Sequence, residues 1–114
     1  MERKGVDFYI GMSDTIKLSH TAALILQTVD SGCCYGFDIM DTTGLPSGTV
    51  YPALRRLEAE KLIESEWEAE ADALAEQRPA RKYYRMTRGG SQVLADSQKR
   101  YPLLRRLAPA RPRS

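Results

Sequence analysis

The 114-residue chain has few of the residues that build metal centres, disulfide frameworks and catalytic sites: two cysteines, one histidine and one tryptophan. Cys33 and Cys34 are neighbours, so a disulfide between them would be strained, and neither lies at a metal-ligand spacing from His20. His20 has no serine, cysteine or aspartate at a recognisable catalytic spacing. We therefore expect no metal, no cofactor and no catalytic residue, and we favour packing over a redox switch for the two thiols.

Long apolar runs are also absent, since no stretch approaches the ~18 residues that a membrane span needs. The first residues lead into no apolar core followed by a small-residue cleavage site, and so predict no signal peptide. A chain of this length makes one domain with an adequate core. We expect a cytoplasmic protein without membrane contact.

The net charge is only +2, but the charges are unevenly distributed along the chain. Between Glu58 and Glu76 there are eight carboxylates and one lysine, whereas from Arg78 to Arg88 there are five cations and no acid. The last residues are also basic, with Lys99, Arg100, Arg105, Arg106, Arg111 and Arg113. The nearly neutral total therefore hides separate acidic and basic surfaces.

Two helices are predicted before residue 45. Ser19 is placed to cap the first, in which residues 22 to 29 are apolar on most sides, as expected for a helix at the centre of a small core. The second runs from 35 to 43, with Gly44 suited to the left-handed conformation just past a helix end. Leu45-Pro46 then makes a tight connection, because a residue before proline avoids helical angles.

The segment from 47 to 61 has the pattern of a third helix with two contrasting faces. One face is apolar and contains Val50, Leu54, Leu57 and the stem of Lys61. The opposite face is small and then doubly cationic, and contains Gly48, Pro52, Arg55, Arg56 and Ala59. Such a face suits entry into a DNA groove, although this stretch taken alone is explained better by a solvated face. Ser47 is placed to cap the helix, and Pro52 must lie in about its first turn, where the loss of its N–H costs least.

Two short strands and a last helix are predicted after it. Residues 62 to 68 and 82 to 86 show partial alternation and are rich in Tyr, Trp and Ile, as strands are. The stretch between them is too long for a tight turn, and its tip is predicted as either a helical turn or a disordered loop. Thr87 is placed to cap the last helix. Pro102 should kink or stop that helix, although Leu103, Leu104 and Leu107 suggest that it continues.

Four blocks of the sequence, taken together, carry a resemblance to a known family. The two more specific blocks are Ser47-Gly48-Thr49-Val50-Tyr51-Pro52-Ala53-Leu54-Arg55-Arg56-Leu57-Glu58 and Arg78-Pro79-Ala80-Arg81-Lys82-Tyr83-Tyr84-Arg85-Met86-Thr87. The others are Tyr35-Gly36-Phe37-Asp38-Ile39 and Leu62-Ile63-Glu64-Ser65-Glu66-Trp67. In this order they resemble the PadR family of bacterial transcriptional regulators, over roughly residues 22 to 95.

The resemblance implies an α+β, mainly helical fold, namely a winged helix-turn-helix with a two-stranded β-wing and a C-terminal dimerisation helix. By position, the recognition helix carries Ser47, Gly48, Thr49, Tyr51, Pro52, Arg55 and Arg56, and the wing carries Arg78, Arg81 and Lys82. It further implies a homodimer that binds a pseudo-palindromic operator in double-stranded DNA, usually as a repressor. In many members a small-molecule effector releases the DNA.

The predicted organisation has four parts. Residues 1–17 form an N-terminal arm or short helix, 18–87 the winged helix-turn-helix, 88–107 the dimerisation helix, and 108–114 a basic tail that we expect to be disordered. The dimer interface is assigned to one face of the last helix, with Val93, Leu94, Ser97, Tyr101 and Leu104. The alternative is a helix that covers its own monomer. We prefer the interface because ~20 helical residues span ~30 Å, more than so small a body can cover.

Two departures from the family pattern concern the wing. Gln77 stands where many relatives have glycine, and the wing cations are preceded by Glu68, Glu70, Asp72 and Glu76. These acids leave open how closely the wing approaches phosphate. They also motivate an alternative function, a winged-helix protein-interaction module that docks a basic partner and does not bind DNA.

Several aromatic residues have two interpretations. Tyr51 either extends its hydroxyl to a phosphate or closes the core with its ring. Either Tyr83 or Tyr84 should be core, because they alternate across a strand. We favour packing for Trp67, with the alternative that it joins Phe8 and Tyr9 in an apolar surface for an effector.

Overall fold

The computed structural model describes residues 16–107, which form six helices and one two-stranded antiparallel sheet. In chain order the elements are α1 (His20–Asp30), α2 (Gly36–Thr43), α3 (Ser47–Ala59), β1 (Ile63–Trp67), α4 (Glu70–Ala75), β2 (Lys82–Met86), α5 (Arg88–Arg100) and α6 (Pro102–Leu107). The predicted arm lies almost wholly, and the predicted basic tail wholly, outside the described residues. This is the α+β, mainly helical winged helix-turn-helix that the sequence predicts.

The central element is α1, which packs against α2, α3, β2, α5 and α6. Its buried apolar side chains include Ile25 and Leu26, and they face the equally buried Leu54 and Leu57 of α3 within one core. The predicted cap is confirmed, because the Ser19 Oγ accepts a hydrogen bond from the backbone N–H of Ala22 at 3.1 Å. Burial on most sides explains why the sequence of this helix has no polar face.

The turn between α2 and α3 is built as predicted, with one correction. Gly44 ends α2 in the left-handed conformation at φ 75°. Ser47, however, does not cap α3: Pro46 occupies the N-cap, and its carbonyl accepts the N–H groups of Thr49 and Val50. Proline suits this position because its extended backbone angles are already those of an N-cap residue.

The two ends of α3 also differ from the prediction. Pro52 is the sixth helical residue and so lies in the second turn, where its missing N–H leaves the carbonyl of exposed Gly48 to solvent. The helix ends at Ala59, two residues earlier than predicted. Lys61 lies beyond it with a left-handed φ of 65°, and its side chain is exposed instead of extending the apolar face.

The wing is an antiparallel pair in which Ile63 lies opposite Met86 and Trp67 lies opposite Lys82. Between the strands the chain forms α4, so the helical alternative for this stretch is confirmed. The turn after α4 places Gln77 at a left-handed φ of 58°. Glycine adopts that conformation without penalty, whereas another L-residue loses roughly 1–2 kcal/mol. This is a physical reason for the glycine that many relatives have there.

The C-terminal segment is two helices, because the chain breaks at Tyr101 before Pro102. Gln27 of α1 joins both: its Nε2 donates to the carbonyl of Leu104 at 2.9 Å, and its Oε1 accepts from Gln98 Nε2 at 2.8 Å. Tyr101 donates its hydroxyl to the carbonyl of Leu18 at 2.8 Å. The segment therefore folds back onto α1, and the argument from a straight 30 Å helix does not apply.

The side chains assigned to the dimer interface pack inside the chain itself. Val93, Leu94, Ser97 and Leu104 are all buried, and Tyr101 is half-buried. An interface on these side chains would require the core to open. The exposed apolar side chains of this region are instead Leu103 and Leu107, which are 52% and 51% exposed. Dimerisation remains a prediction.

Candidate nucleic-acid interface

The outer face of α3 carries the residues that the sequence assigned to DNA recognition. Ser47, Gly48, Tyr51, Pro52, Arg55 and Arg56 are exposed, and Thr49 is half-buried. Val50, Leu54 and Leu57 are buried on the opposite face. The predicted two-faced helix is therefore present, and its outer face is available to a partner.

The two arginines of this face have different surroundings. Arg56 pairs with Glu60 one turn later, with 3.3 Å between Nε and Oε2. Such an exposed pair contributes little free energy and opens easily. Arg55 makes no ion pair or hydrogen bond within residues 16–107. Arg55 is thus the cation that this face offers without first breaking a contact.

Tyr51 combines the two roles that its sequence left open. Its ring lies against the start of α2, where a Cβ built on Gly36 would come within 2.5 Å of the Tyr51 hydroxyl oxygen. Only glycine at position 36 leaves room for this ring. Because Tyr51 is still 38% exposed, its hydroxyl edge faces outward beside Arg55.

The wing cation Arg78 is bound by acids of its own wing. Its guanidinium forms two parallel hydrogen bonds with Glu68, at 2.6 and 2.7 Å, and a third with Glu76 at 3.0 Å. The hydrogen bond from Arg78 is the main reason that the pKa of Glu68 falls from 4.5 to about 2, and the pairing raises the pKa of Arg78 further. Bidentate pairs of this kind fix geometry. The pair thus closes the base of the wing.

Arg81 and Lys82 are held more loosely. The Arg81 guanidinium lies 4.1 Å from the ring centroid of Tyr35, and its Nε is 3.9 Å from Glu68 Oε1. The Lys82 ammonium is 3.9 Å from Glu58 Oε1 and 5.8 Å from the ring centroid of Trp67. At these distances the acids compensate the cations only in part, so both cations are available to an added anion.

These side chains meet in one groove between α3 and the wing, with a volume of about 440 Å³. We call it the wing groove. Its lining residues are Tyr35, Gly36, Phe37, Tyr51, Arg55, Trp67, Ala80, Arg81, Lys82 and Tyr84. The fold thus brings together Tyr51, Arg55, Arg81 and Lys82 from the two predicted DNA-binding sets. It leaves Arg56 and Arg78 outside the groove.

Comparison with known proteins identifies the family. The model of the transcriptional regulator PadR-like family matches residues 25–96, more than half of the chain. This chain belongs to the PadR-like family.

Solved structures of PadR regulators have the same fold. A PadR family transcription regulator from Clostridium difficile R20291 superposes with a TM-score of 0.64 at 26% identity, over 78% of this chain and 94% of that one. One from Eggerthella lenta DSM 2243 superposes with a TM-score of 0.59 at 28% identity, over 75% of this chain and 74% of that one. No curated protein matched the chain.

Other kinds of site find little support in the part of this PadR-like chain that the structure describes. There, no helix is both long and apolar enough to cross a membrane. The same residues contain no group of three histidine, cysteine or acidic side chains that could hold a metal ion. Cys33 and Cys34 are half-buried, with the Cys33 Sγ 3.4 Å from the Thr42 hydroxyl.

Sequence reasoning missed three features of this PadR-like interface. Trp67 is 65% exposed, so its interpretation as a packing residue is wrong. Phe37 is 66% exposed and joins the groove; its place two residues before buried Ile39 already put it on the outer side of α2. Glu68 was noted only as an acid near the cations. Its pairing with Arg78 was not predictable, because it joins residues ten positions apart across α4.

Proposed function

We propose that this chain is a sequence-specific DNA-binding transcriptional regulator that acts as a homodimer on a pseudo-palindromic operator, as a repressor. The observation that carries the proposal is Arg55, an unpaired arginine on the outer face of a capped helix beside two loosely held wing cations. An arginine so placed can bridge O6 and N7 of a guanine or bind a phosphate.

The residues divide into groups with different tasks. The small and polar start of α3, with Ser47, Gly48, Thr49, Tyr51 and Pro52, lets the helix approach the major groove closely. Arg55 reads bases, and Arg56 contributes once its exposed pair with Glu60 opens. Arg81 and Lys82 bind backbone phosphates, which needs only cations on a rigid support. Arg78 supplies that support, because Glu68 and Glu76 already use its charge.

A homodimer would present two such helices to half-sites about 34–36 Å apart, one turn of DNA. The C-terminal segment remains the proposed dimerisation region. The exposed Leu103 and Leu107 of α6 are the side chains through which we propose contact with the second copy, since those of the predicted face fill the core.

The proposal is tested by fluorescence anisotropy with DNA from upstream of the protein's own gene, across a salt series. Arg55→Ala should weaken binding by about tenfold or more, because a bidentate base contact discriminates by ~1–3 kcal/mol. Arg85→Ala is the control, since it removes an equal charge from an arginine already paired with Glu64 and Glu66. Equal affinities of Arg55→Ala and wild type would contradict the assigned face.

A second candidate function rests on the acidic wing. Glu70 and Asp72 of α4 are exposed and make no ion pair within the described residues, so they could dock a basic protein. In that case the protein would not bind DNA even at low salt. The same anisotropy titration, begun at ~20 mM salt where phosphate contacts are strongest, separates the two functions.

A further inference from the structure

The wing groove has a composition that duplex DNA alone does not explain. It is lined by five aromatic residues and three cations, and no carboxylate is among its lining residues. Two of its aromatic side chains, Phe37 and Trp67, are about two-thirds exposed. In a duplex the bases are paired and stacked, so their faces are not available to such rings, whereas free planar molecules stack on exposed aromatic side chains.

The volume and shape of the groove suit a small ligand. About 440 Å³ falls within the range of pockets that bind small molecules. The walls come from three separate elements, with Phe37 on α2, Tyr51 on α3 and Trp67 at the end of β1. A flat ring inserted between these walls would replace solvent contact with aromatic contact on more than one side.

The charge of the groove selects the kind of ligand. The Arg81 guanidinium is positioned by stacking on Tyr35, and its Glu68 contact is long because Glu68 already accepts two short hydrogen bonds from Arg78. Arg55 has no acidic partner in the described residues. A guest with a carboxylate or phosphate would therefore gain charge-assisted hydrogen bonds, whereas a neutral guest would not.

We propose that the wing groove binds a planar aromatic anion, and that this ligand competes directly with DNA. The competition, which rests on the proposed function, follows from shared residues: Arg55, Arg81 and Lys82 are the cations offered to both. A regulator built in this way needs no shape change to release its operator, because the ligand occupies the DNA-reading side chains themselves.

Two sources of this chemistry are distinguished by two probes, benzoate for small aromatic acids and adenosine monophosphate for nucleotides. Trp67 is the only tryptophan of the chain and lies in the groove, so its emission reports occupancy without a label. Isothermal titration calorimetry gives the affinity. A response to only one probe assigns the ligand to that source. Benzamide tests the need for charge, and cyclohexanecarboxylate tests the need for a flat ring; both should bind at least about tenfold more weakly than benzoate.

Two variants test the location, each with a matched control. Phe37→Ser removes an exposed groove wall, and Leu74→Ser removes an equally exposed apolar side chain from α4 outside the groove. Arg81→Gln removes a groove cation, and Arg85→Gln removes one that lies in ion pairs elsewhere on β2. The groove variants should lose about tenfold or more in affinity for the bound probe, while the controls keep it.

Competition is then measured by adding the bound probe to the DNA titration. Wild type should release DNA as the probe saturates, and Phe37→Ser should bind DNA but resist release. DNA binding with no response to either anion would overturn the ligand site and leave the proposed function standing. A probe titration without any DNA binding would refute the proposed function and leave the site. Unchanged affinities in Phe37→Ser and Arg81→Gln would overturn the location.

Discussion

The joint between the wing and α5 depends on one glycine and not on its neighbour. α5 begins at Arg88, and Thr87 caps it by accepting the Gly90 N–H at 3.0 Å. A Cβ on Gly90 would run into the backbone carbonyl of Leu62 and lie 3.2 Å from Met86 Sδ. A Cβ on Gly89 would meet nothing nearer than 3.8 Å. Alanine should therefore have opposite effects at these adjacent positions.

The magnitudes follow from two competing terms. Replacing glycine by alanine in a helix favours folding by about 0.5–1 kcal/mol. At position 89 that term acts alone. At position 90 it is opposed by overpacking against a backbone group that cannot rotate away, which costs typically ~1–3 kcal/mol and sometimes more. We expect Gly89→Ala to stabilise the protein slightly and Gly90→Ala to destabilise it, with at least about 2 kcal/mol between the two variants.

Urea unfolding followed by circular dichroism measures the difference directly. A gap of ~2 kcal/mol corresponds to roughly 8–16 °C in the melting temperature of a domain near 100 residues, so thermal scans should agree. Gly89→Ala serves as the control for changes in the unfolded chain. If Gly90→Ala were as stable as Gly89→Ala, the tight contact between α5 and Leu62 would be refuted.

Two further predictions concern the supports of the wing and of the C-terminal segment. Because the pKa of Glu68 is about 2 in the folded protein against 4.5 ordinarily, its contribution to stability is complete above pH ~4.5 and lost as the pH falls toward 2. Urea midpoints from pH 6 to 3 should fall less steeply for Glu68→Gln than for wild type or for Glu70→Gln, which removes an exposed acid of α4; parallel curves would contradict this. Gln27→Leu leaves the carbonyl of Leu104 and the amide of Gln98 without their partner, so we expect a loss of about 1–3 kcal/mol. Hydrogen exchange should become faster in α6 first, and unchanged protection there would show that Gln27 does not hold it.

Much of the fold was readable from the sequence because it depends on neighbours along the chain. The Ser19 and Thr87 caps and the left-handed Gly44 follow from local hydrogen bonding and backbone sterics, which act over three or four residues. The outer face of α3 follows from helical periodicity in the same way. Motif spacing led to the family, and the family match confirms it.

The candidate site was only partly readable, because a charged residue's partners depend on distances between distant segments. The sequence placed Arg55, Arg78 and Arg81 on the right elements without distinguishing their surroundings. Tertiary structure decided that Arg78 is bound by Glu68 across α4, while Arg55 has no acidic partner in the described residues. It also placed Trp67 at the exposed end of β1, where the alternation of a short strand could not tell solvent from core.

The recognition helix and the C-terminal segment mark the two sides of this division. By itself the sequence determined that Ser47 to Arg56 would present a small, cationic face, since helix geometry converts spacing into direction. Only the tertiary structure decided that this face shares a groove with Arg81 and Lys82. It likewise decided that α6 turns back onto Gln27, because the break at Tyr101 becomes favourable only when α1 supplies the contacts that a straight helix would forgo.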